Sequence, residues 1–414
     1  MEIAVIVLIV SLFAFELVLS ILNFRNRMQP VPDNVRSVYD QEAYSKWLDY
    51  SMANFRLSLF EKSFHFLVLV VLLLSGFFGF LERLTDSWMG DGTILATLAF
   101  LGLYYVLRLV TDLPFDYYRT FIIEERFGFN KQTRSGFISD QIKSLLLVVI
   151  LGGGLVTLLM VFYRTFSNAF FVFAWLALVV IFFLVLILYT KVFIPLFNKL
   201  EPLEEGELRE AIEAFVSDSG YRIKAISRMD ASKRSTKLNA FFSGMGRFKR
   251  IVLFDTLIDK MSTDEIVAVL AHEIAHDKNK DTVRIFLQQI LMLAIYTLVI
   301  AWTVSSDALA QAFGLSGAHF GFGLLLFTIL IDPVLLLLSP LTNHLSRIAE
   351  YRADRYAAEH GYRQAMHDAL IKLARENFSN LTPHPLYVFF YYDHPTISDR
   401  LRSLEATKGT PSNA

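Results

Sequence analysis

His272-Glu273-Ile274-Ala275-His276 is the stretch of this chain best equipped for chemistry, because it sets two imidazoles four residues apart with a carboxylate between them. Ser262, Thr263, Asp264 and Glu265 precede the apolar run Ile266 to Leu270. Ser262 and Glu265 have the spacing of a capping box, in which each side chain satisfies a free backbone N–H, so a helix is expected to start near Thr263. On that helix His272 and His276 leave one face a turn apart, close enough to hold one metal ion. Zn²⁺ held by two imidazoles and a carboxylate keeps a position open for water and lowers that water's pKa to about 7. Glu273, one residue after the first histidine, is then the candidate general base. Taken alone, the five residues equally describe a solvated helix face with two surface histidines.

A third ligand must come from elsewhere. The run Ser346 to Asp354 supplies Glu350 and Asp354 at i and i+4 on another expected helix, with Gly361 as its C-cap. Glu350 would complete a His-His-Glu set, and Asp354 could accept the second N–H of a ligand imidazole and fix its tautomer. Arg347 and Asn343, upstream in the same stretch, are placed with Asp354 as supports of the site. The plainer alternative is a charged helix in which Glu350 and Asp354 pair with Arg347 and Arg352.

Further segments carry a resemblance. They are Leu113-Pro114, Phe121-Ile122-Ile123-Glu124-Glu125, Gly128-Phe129-Asn130-Lys131-Gln132-Thr133, Ser232-Lys233-Arg234-Ser235, Asn239-Ala240-Phe241-Phe242, the run Lys249 to Leu257, and His394-Pro395 with Arg400-Leu401. With the zinc pentapeptide and the Glu350 to Asp354 run, they make the chain similar to the CAAX prenyl protease family of the zinc-metalloprotease type. Those are membrane endopeptidases that process isoprenylated proteins in eukaryotes and have bacterial relatives. The resemblance implies that His272, His276 and Glu350 are the zinc ligands and Glu273 the catalytic carboxylate. It implies that His394, otherwise readable as a surface loop histidine, hydrogen-bonds the developing oxyanion. It also implies that Asn239 and Ala240 match the segment that pairs with an extended substrate backbone. Phe241 departs from the family, where an aromatic hydroxyl is common.

The elements that must position these residues begin with a membrane. The chain is 54% hydrophobic, and its net charge of −1 gives no sign of a nucleic-acid partner. Its mean hydropathy of +0.45 is too high for an ordinary soluble protein of this length. Seven runs can cross about 30 Å of hydrocarbon: 3–23, 64–82, 93–112, 144–163, 169–190, 283–304 and 319–340. The first lacks a basic flank and a small-residue cleavage site, so it is expected to be an anchor. Arg and Lys collect in the first and third connections, in 197–282 and in the tail, which predicts that the zinc-bearing segment faces the cytoplasm. Glu16, Arg108, Lys191 and Asp332 are costly inside lipid. Arg108 and Lys191 are expected to snorkel from span ends, whereas Glu16 and Asp332 are expected to face a polar interior. The resemblance implies a water-filled chamber enclosed by the seven helices.

The expected fold is therefore an all-α polytopic membrane protein, seven helices around an interior chamber, with a small mixed α/β cytoplasmic segment like that of zincins. The divisions are 1–196 (spans one to five), 197–282 (substrate edge and zinc helix), 283–340 (spans six and seven) and 341–414 (third ligand and tail). Within them, a helix over 204–217 ending near Gly220, strands over 222–228 and 250–254, and a polar helix over about 40–60 are expected. Asn377-Phe378-Ser379 and Asn380-Leu381-Thr382 match glycosylation acceptors but fall on the cytoplasmic side and read as chance. The absence of cysteine excludes thiol catalysis and disulfides.

The expectation is a monomeric zinc metalloendopeptidase with a peptide or protein substrate and membrane lipid as partners, and the resemblance implies removal of the terminal tripeptide from C-terminally prenylated proteins. The competing readings are a heat-shock type quality-control protease and, outside enzymes, a transporter or a non-catalytic chamber for lipidated peptides. A transporter would show paired repeats or interrupted spans, and a degenerate scaffold would have lost a ligand. A cysteine-free chain without an ER-retrieval signal leads to the expectation of a bacterial inner membrane, or the ER membrane if the source is eukaryotic.

Overall fold

The computed structural model describes residues 1–243 and 250–406, so Lys249 of the motif above lies outside the described residues. The first membrane helices are α1 (Glu2–Asn26), α2 (Gln41–Leu74) and, after the short α3 (Phe77–Met89), α4 (Ile94–Tyr118). They are followed by α5 (Arg134–Leu147), α6 (Gly153–Phe166), α7 (Phe170–Leu188) and the single turn α8 (Ile194–Phe197). Among the described residues, six helical stretches are long and apolar enough to cross a membrane, and one of them, Arg134–Leu188, takes in the run 144–163 and nearly all of 169–190. That stretch folds back at Ser167, whose φ of 40° and ψ of −108° end α6. The Phe166 and Phe173 rings then stack at 3.8 Å across the hairpin. Side chains such as Leu67, Ile150, Leu291 and Leu337 remain exposed, as a lipid-facing surface requires.

Two expectations for the spans change. The run 64–82 is not one helix: α2 stops at Leu74 and Gly76, at φ 70°, turns the chain into α3. Hydropathy cannot register a left-handed glycine. In addition, α2 starts at Gln41, capped by Asp40 Oδ1 accepting from Ala43 N at 2.8 Å, so the expected cytoplasmic helix and the second span are continuous. The far end of the bundle is closed by α3 against the loop after the short α13, described below. There a Cβ on Gly79 would lie 1.9 Å from Gly314 O, an approach only glycine permits.

Glu16 and Asp332, expected to face a polar interior, both line a cavity of about 470 Å³ together with His65, though most of its walls are apolar. Arg108 lines it too and sits 3.3 Å from Asp112, so it pairs inward instead of snorkelling.

On one side of the bundle the chain builds a mixed sheet. Strand β1 (Leu200–Pro202) precedes α9 (Glu207–Asp218), which ends just before Gly220 at φ 63°. Strands β2 (Ala225–Met229), β3 (Ala240–Ser243) and β4 (Arg250–Phe254) follow. The order is β1-β2-β4-β3, with β2 parallel to β4 and the other pairs antiparallel, so β3 is an edge strand. The short α10 (Asp255–Lys260) leads into α11 (Thr263–Lys278). Its start is the expected capping box: Ser262 N donates to Glu265 Oε2 at 2.7 Å and Glu265 N to Ser262 Oγ at 3.3 Å.

The remaining helices are α12 (Asp281–Val304), α13 (Asp307–Ala312), α14 (Phe320–Ala357), α15 (Arg363–Glu376), α16 (Pro385–Tyr391) and α17 (Ile397–Ala406). Helix α14 carries the last span and runs on unbroken through Glu350, despite Pro333 and Pro340 inside it. Pro340 cannot donate to Leu336 O, and Ser339 Oγ does so instead at 3.0 Å. A core of Val38, Ile212, Leu253, Ile266, Ile274, Leu370 and Leu401 welds the sheet to α9, α11, α15 and α17.

Candidate metal centre

Helices α11 and α14 cross so that residues 82 positions apart meet: His272 Nδ1 lies 2.8 Å from Asp354 Oδ1. His272 Nε2 and His276 Nε2 are 3.2 Å apart. Glu350 closes the triangle, with Oε2 3.4 Å from His272 Nε2 and Oε1 3.2 Å from His276 Nε2. One donor atom from each residue lies within 4.8 Å of the others.

Three observations make this a cation cradle. Each histidine faces a carboxylate through Nδ1, His272 toward Asp354 and His276 toward Asp281 Oδ2 at 3.2 Å, which leaves both Nε2 atoms turned toward the centre. Glu350 Oε2 is buried without a hydrogen-bond partner. Burial works to lower the His272 pKa, yet hydrogen bonds to Asp354 and Glu350 raise it to about 9, a measure of how strongly the carboxylates call for positive charge. Ions preferring nitrogen and oxygen donors in tetrahedral array, zinc first among them, fit this donor set.

Around the cradle lie two residues to which sequence reasoning assigned no role, Asp281 and Arg400, the latter quoted only as part of a motif. Arg400 donates from Nε to Asp354 Oδ2 at 2.8 Å and from Nη2 to Oδ1 at 2.6 Å, which aims the carboxylate at His272. Asp281, which aims His276, accepts from Arg352 Nη2 at 2.7 Å. Asp354, expected to orient a ligand imidazole, lies against His272 Nδ1. The places of Arg347 and Asn343 differ from expectation: neither touches a ligand. Arg347 Nη1 donates to Val388 O and Tyr392 O at 3.3 and 2.6 Å, and Asn343 Nδ2 to Phe390 O at 2.8 Å. They share Glu350's stripe of α14, but a turn or two lower, where that stripe meets α16.

They thereby fix the segment leading to His394. Its Nε2 lies 3.4 Å from Glu350 Oε1 and its Nδ1 2.8 Å from Asp393 Oδ1, on the exposed side of the cradle. The hydrogen bond to Asp393 raises the His394 pKa against the opposing effect of burial, which favours the imidazolium with an Nε2–H to give. Glu273 is half-buried on α11 and forms no hydrogen bond to any described residue. Ala240 opens β3 and Asn239 directly precedes it. Asn239 O accepts from Phe254 N at 3.2 Å, so its carbonyl serves the sheet, and its side chain reaches the Ala240 N–H at 2.9 Å.

Comparison with known proteins places this arrangement. A family model described as CAAX prenyl protease N-terminal, five membrane helices, matches residues 20–199, and the model of peptidase family M48 matches residues 202–408. The CAAX prenyl protease 1 homolog of Oryza sativa subsp. japonica is 38% identical over 78% of this chain and 76% of its own length. CAAX prenyl protease 1 of Saccharomyces cerevisiae is 32% identical over 96% of this chain and 93% of its own. The crystal structure of S. mikatae Ste24p superposes with a TM-score of 0.91 at 31% identity, covering 98% of this chain and 99% of that one. A buried His-His-Glu cradle on two crossed helices, within a fold shared from end to end, makes this chain a member of the M48 peptidase family, an integral-membrane zinc metalloprotease.

Proposed function

We propose that the chain is a zinc endopeptidase acting on the C-terminal region of CAAX proteins, with its active site on the cytoplasmic side. The convergence of His272, His276 and the buried Glu350 carboxylate carries the reading. A zinc ion, when bound, supplies Lewis acidity toward the scissile carbonyl and toward a water. Glu273 takes the proton of that water and returns it to the leaving amine nitrogen. His394 donates from Nε2 to the carbonyl oxygen as negative charge develops, a contribution of about 3 kcal/mol in comparable sites. Ala240 offers edge-strand hydrogen bonds to an extended peptide, which holds the scissile bond over the cradle.

The relatives' names support the substrate class, since each is called a CAAX prenyl protease. Membrane residence fits a lipidated substrate, because burying a prenyl chain stabilises the complex by about 0.8 kcal/mol per CH₂. Orientation is supported by basic connections that pack at the same end as the cradle: Arg375, on α15, donates to Ser37 O and Val38 O of the first connection. The three ligands, Glu273 and His394 all come from this chain, so the proposed site needs no second copy to be complete.

The test is incubation of the purified protein with a farnesylated CAAX peptide and its unprenylated copy, with scissile bonds located by mass spectrometry. Release of the terminal tripeptide, stopped by phenanthroline and restored by zinc, is expected. Cleavage indifferent to the chelator, or no cleavage of either peptide, would overturn the proposal.

A further inference from the structure

Among the described residues strand β3 has no strand on its outer side, and in an antiparallel ladder alternate residues face the partner strand and the outside. Since Phe254 N donates to Asn239 O, Asn239 faces β4, and Leu238 and Ala240 present their backbone groups outward. At Leu238 that outward position is already filled. Asn377 Oδ1 accepts from Leu238 N at 2.8 Å and Asn377 Nδ2 donates to Leu238 O at 3.0 Å. One amide makes both bonds that a paired strand residue would make. At Ala240, by contrast, the N–H is covered only by the neighbouring Asn239 side chain, a bond that one rotamer change releases.

The amide is held in place from behind. Phe378 takes the left-handed backbone, φ 54°, and its ring packs on Tyr39, Tyr50 and Phe129 at centroid distances of 6.1, 5.5 and 4.9 Å. Its carbonyl accepts from Trp47 Nε1 at 3.1 Å. Leu238 itself is 3% exposed. The segments around 121–133 and 232–238, which give no group to the cradle, converge on this point. Thr236 N donates to Phe129 O at 3.1 Å, and Lys237 Nζ lies 3.3 Å from Glu124 Oε1.

We propose that the Asn377 amide is a register stop for the substrate strand. A peptide added to β3 can pair at Ala240 and onward, but it cannot pair past Leu238, so the number of residues the enzyme accepts on one side of the scissile bond is limited. Asn377 is a positioning residue in this account, and the same contacts show why its match to a glycosylation acceptor has no structural meaning. The inference rests on the reading of β3 as the substrate edge.

Two peptide series on one cleavable core test it, lengthened residue by residue at the N-terminus in one and at the C-terminus in the other. With the full-length, zinc-loaded protein, kcat/KM is expected to fall about tenfold in one series once the peptide passes the stop, the size of one or two hydrogen bonds. In Asn377→Ala the long-to-short ratio of that series is expected to recover most of the tenfold, while the ratio in the other series stays. Asn377→Asp, which keeps the size but cannot donate to Leu238 O, is expected to follow Asn377→Ala. A merely structural amide would lower both series together, and that outcome, or a length profile unchanged by substitution, overturns the proposal. If neither variant folds, the wild-type profiles decide, since two flat series leave no stop to explain. Failure to cleave any peptide would instead sink the protease reading itself.

Discussion

The metal cradle and the polar cluster inside the membrane bundle draw on the same residue types. In the bundle, His65 Nε2 lies 2.8 Å from Asp112 Oδ1, Arg108 stands 3.3 Å from the same carboxylate, and Lys62 stands 3.8 Å from Glu16. In the cradle, His272 and His276 turn Nδ1 to carboxylates and keep both Nε2 atoms for the centre. His65 instead sets Nε2 beside its acid partner, without a hydrogen bond between them, and has no second imidazole in the cluster to converge with. Burial differs as well: the side chains of Asp354 and Glu350 are 1% and 6% exposed, whereas Asp112 is 35% exposed. Among the described residues, only His272, His276 and Glu350 bring three ligand atoms together. What makes a metal site is therefore which ring nitrogen is spent and how many donors converge.

Replacing Glu350 by Gln should break the cradle outright. The amide brings N–H donors toward the imidazoles and removes the charge that balances a cation, so elemental analysis should find the ion gone and cleavage undetectable. A fully metallated Glu350→Gln would remove the distinction between the two clusters. Glu273→Gln should separate metal from chemistry: the ion stays, while kcat falls by about 10²–10⁴, the range for loss of a positioned base. Normal turnover in that variant would take Glu273 out of the proton-transfer role. Asp281→Asn should act more mildly, since it loosens the aim of His276 and leaves the nitrogen in place. Metal affinity is expected to drop about 10–100-fold, read by competition with a chelator, and excess zinc should restore much of the activity.

The gradient of those effects follows what was legible in the sequence. His272, Glu273 and His276 could be placed because spacing on one helix fixes a shared face, and Ser262 with Glu265 fixed where that helix starts. Glu350 and Asp354 could be found because i and i+4 repeats the same geometry. Asp281 could not, and Arg400, though part of a quoted motif, could not be given its role. Asp281 follows Lys280, whose φ of 58° reverses the chain so that a residue beyond the helix end faces back at His276, a turn no periodicity records. Arg400 reaches Asp354 from 46 positions away, and only the assembled packing brings them into contact. Arg347 and Asn343 show the converse: they share the stripe of a known ligand, yet a stripe a helical turn further on meets a different neighbour. In the membrane, hydropathy located every span but could not register the left-handed Gly76 that cuts the second short, nor that α14 carries one helix from lipid to ligand.

The smallest expected effect comes from Asp112→Asn, which tests the comparison from the bundle side. Asp112 is the common acid for His65 and Arg108, so removing its charge leaves one cation and one imidazole without their partner. Arg108 is one turn away on the same helix and lines a cavity with Glu16 and Asp332, which offer its guanidinium other carboxylates to approach. A partly exposed pair with such alternatives contributes about 0–1 kcal/mol, far below the about 3–5 kcal/mol set by breaking a buried pair such as Asp354 and Arg400. The variant should therefore keep its full metal content and show only a slight fall in thermal midpoint in detergent, while Asp354→Asn shows a large one. Loss of the ion in Asp112→Asn would mean that the bundle cluster and the cradle are coupled through α14, and that the two regions must be treated as one site.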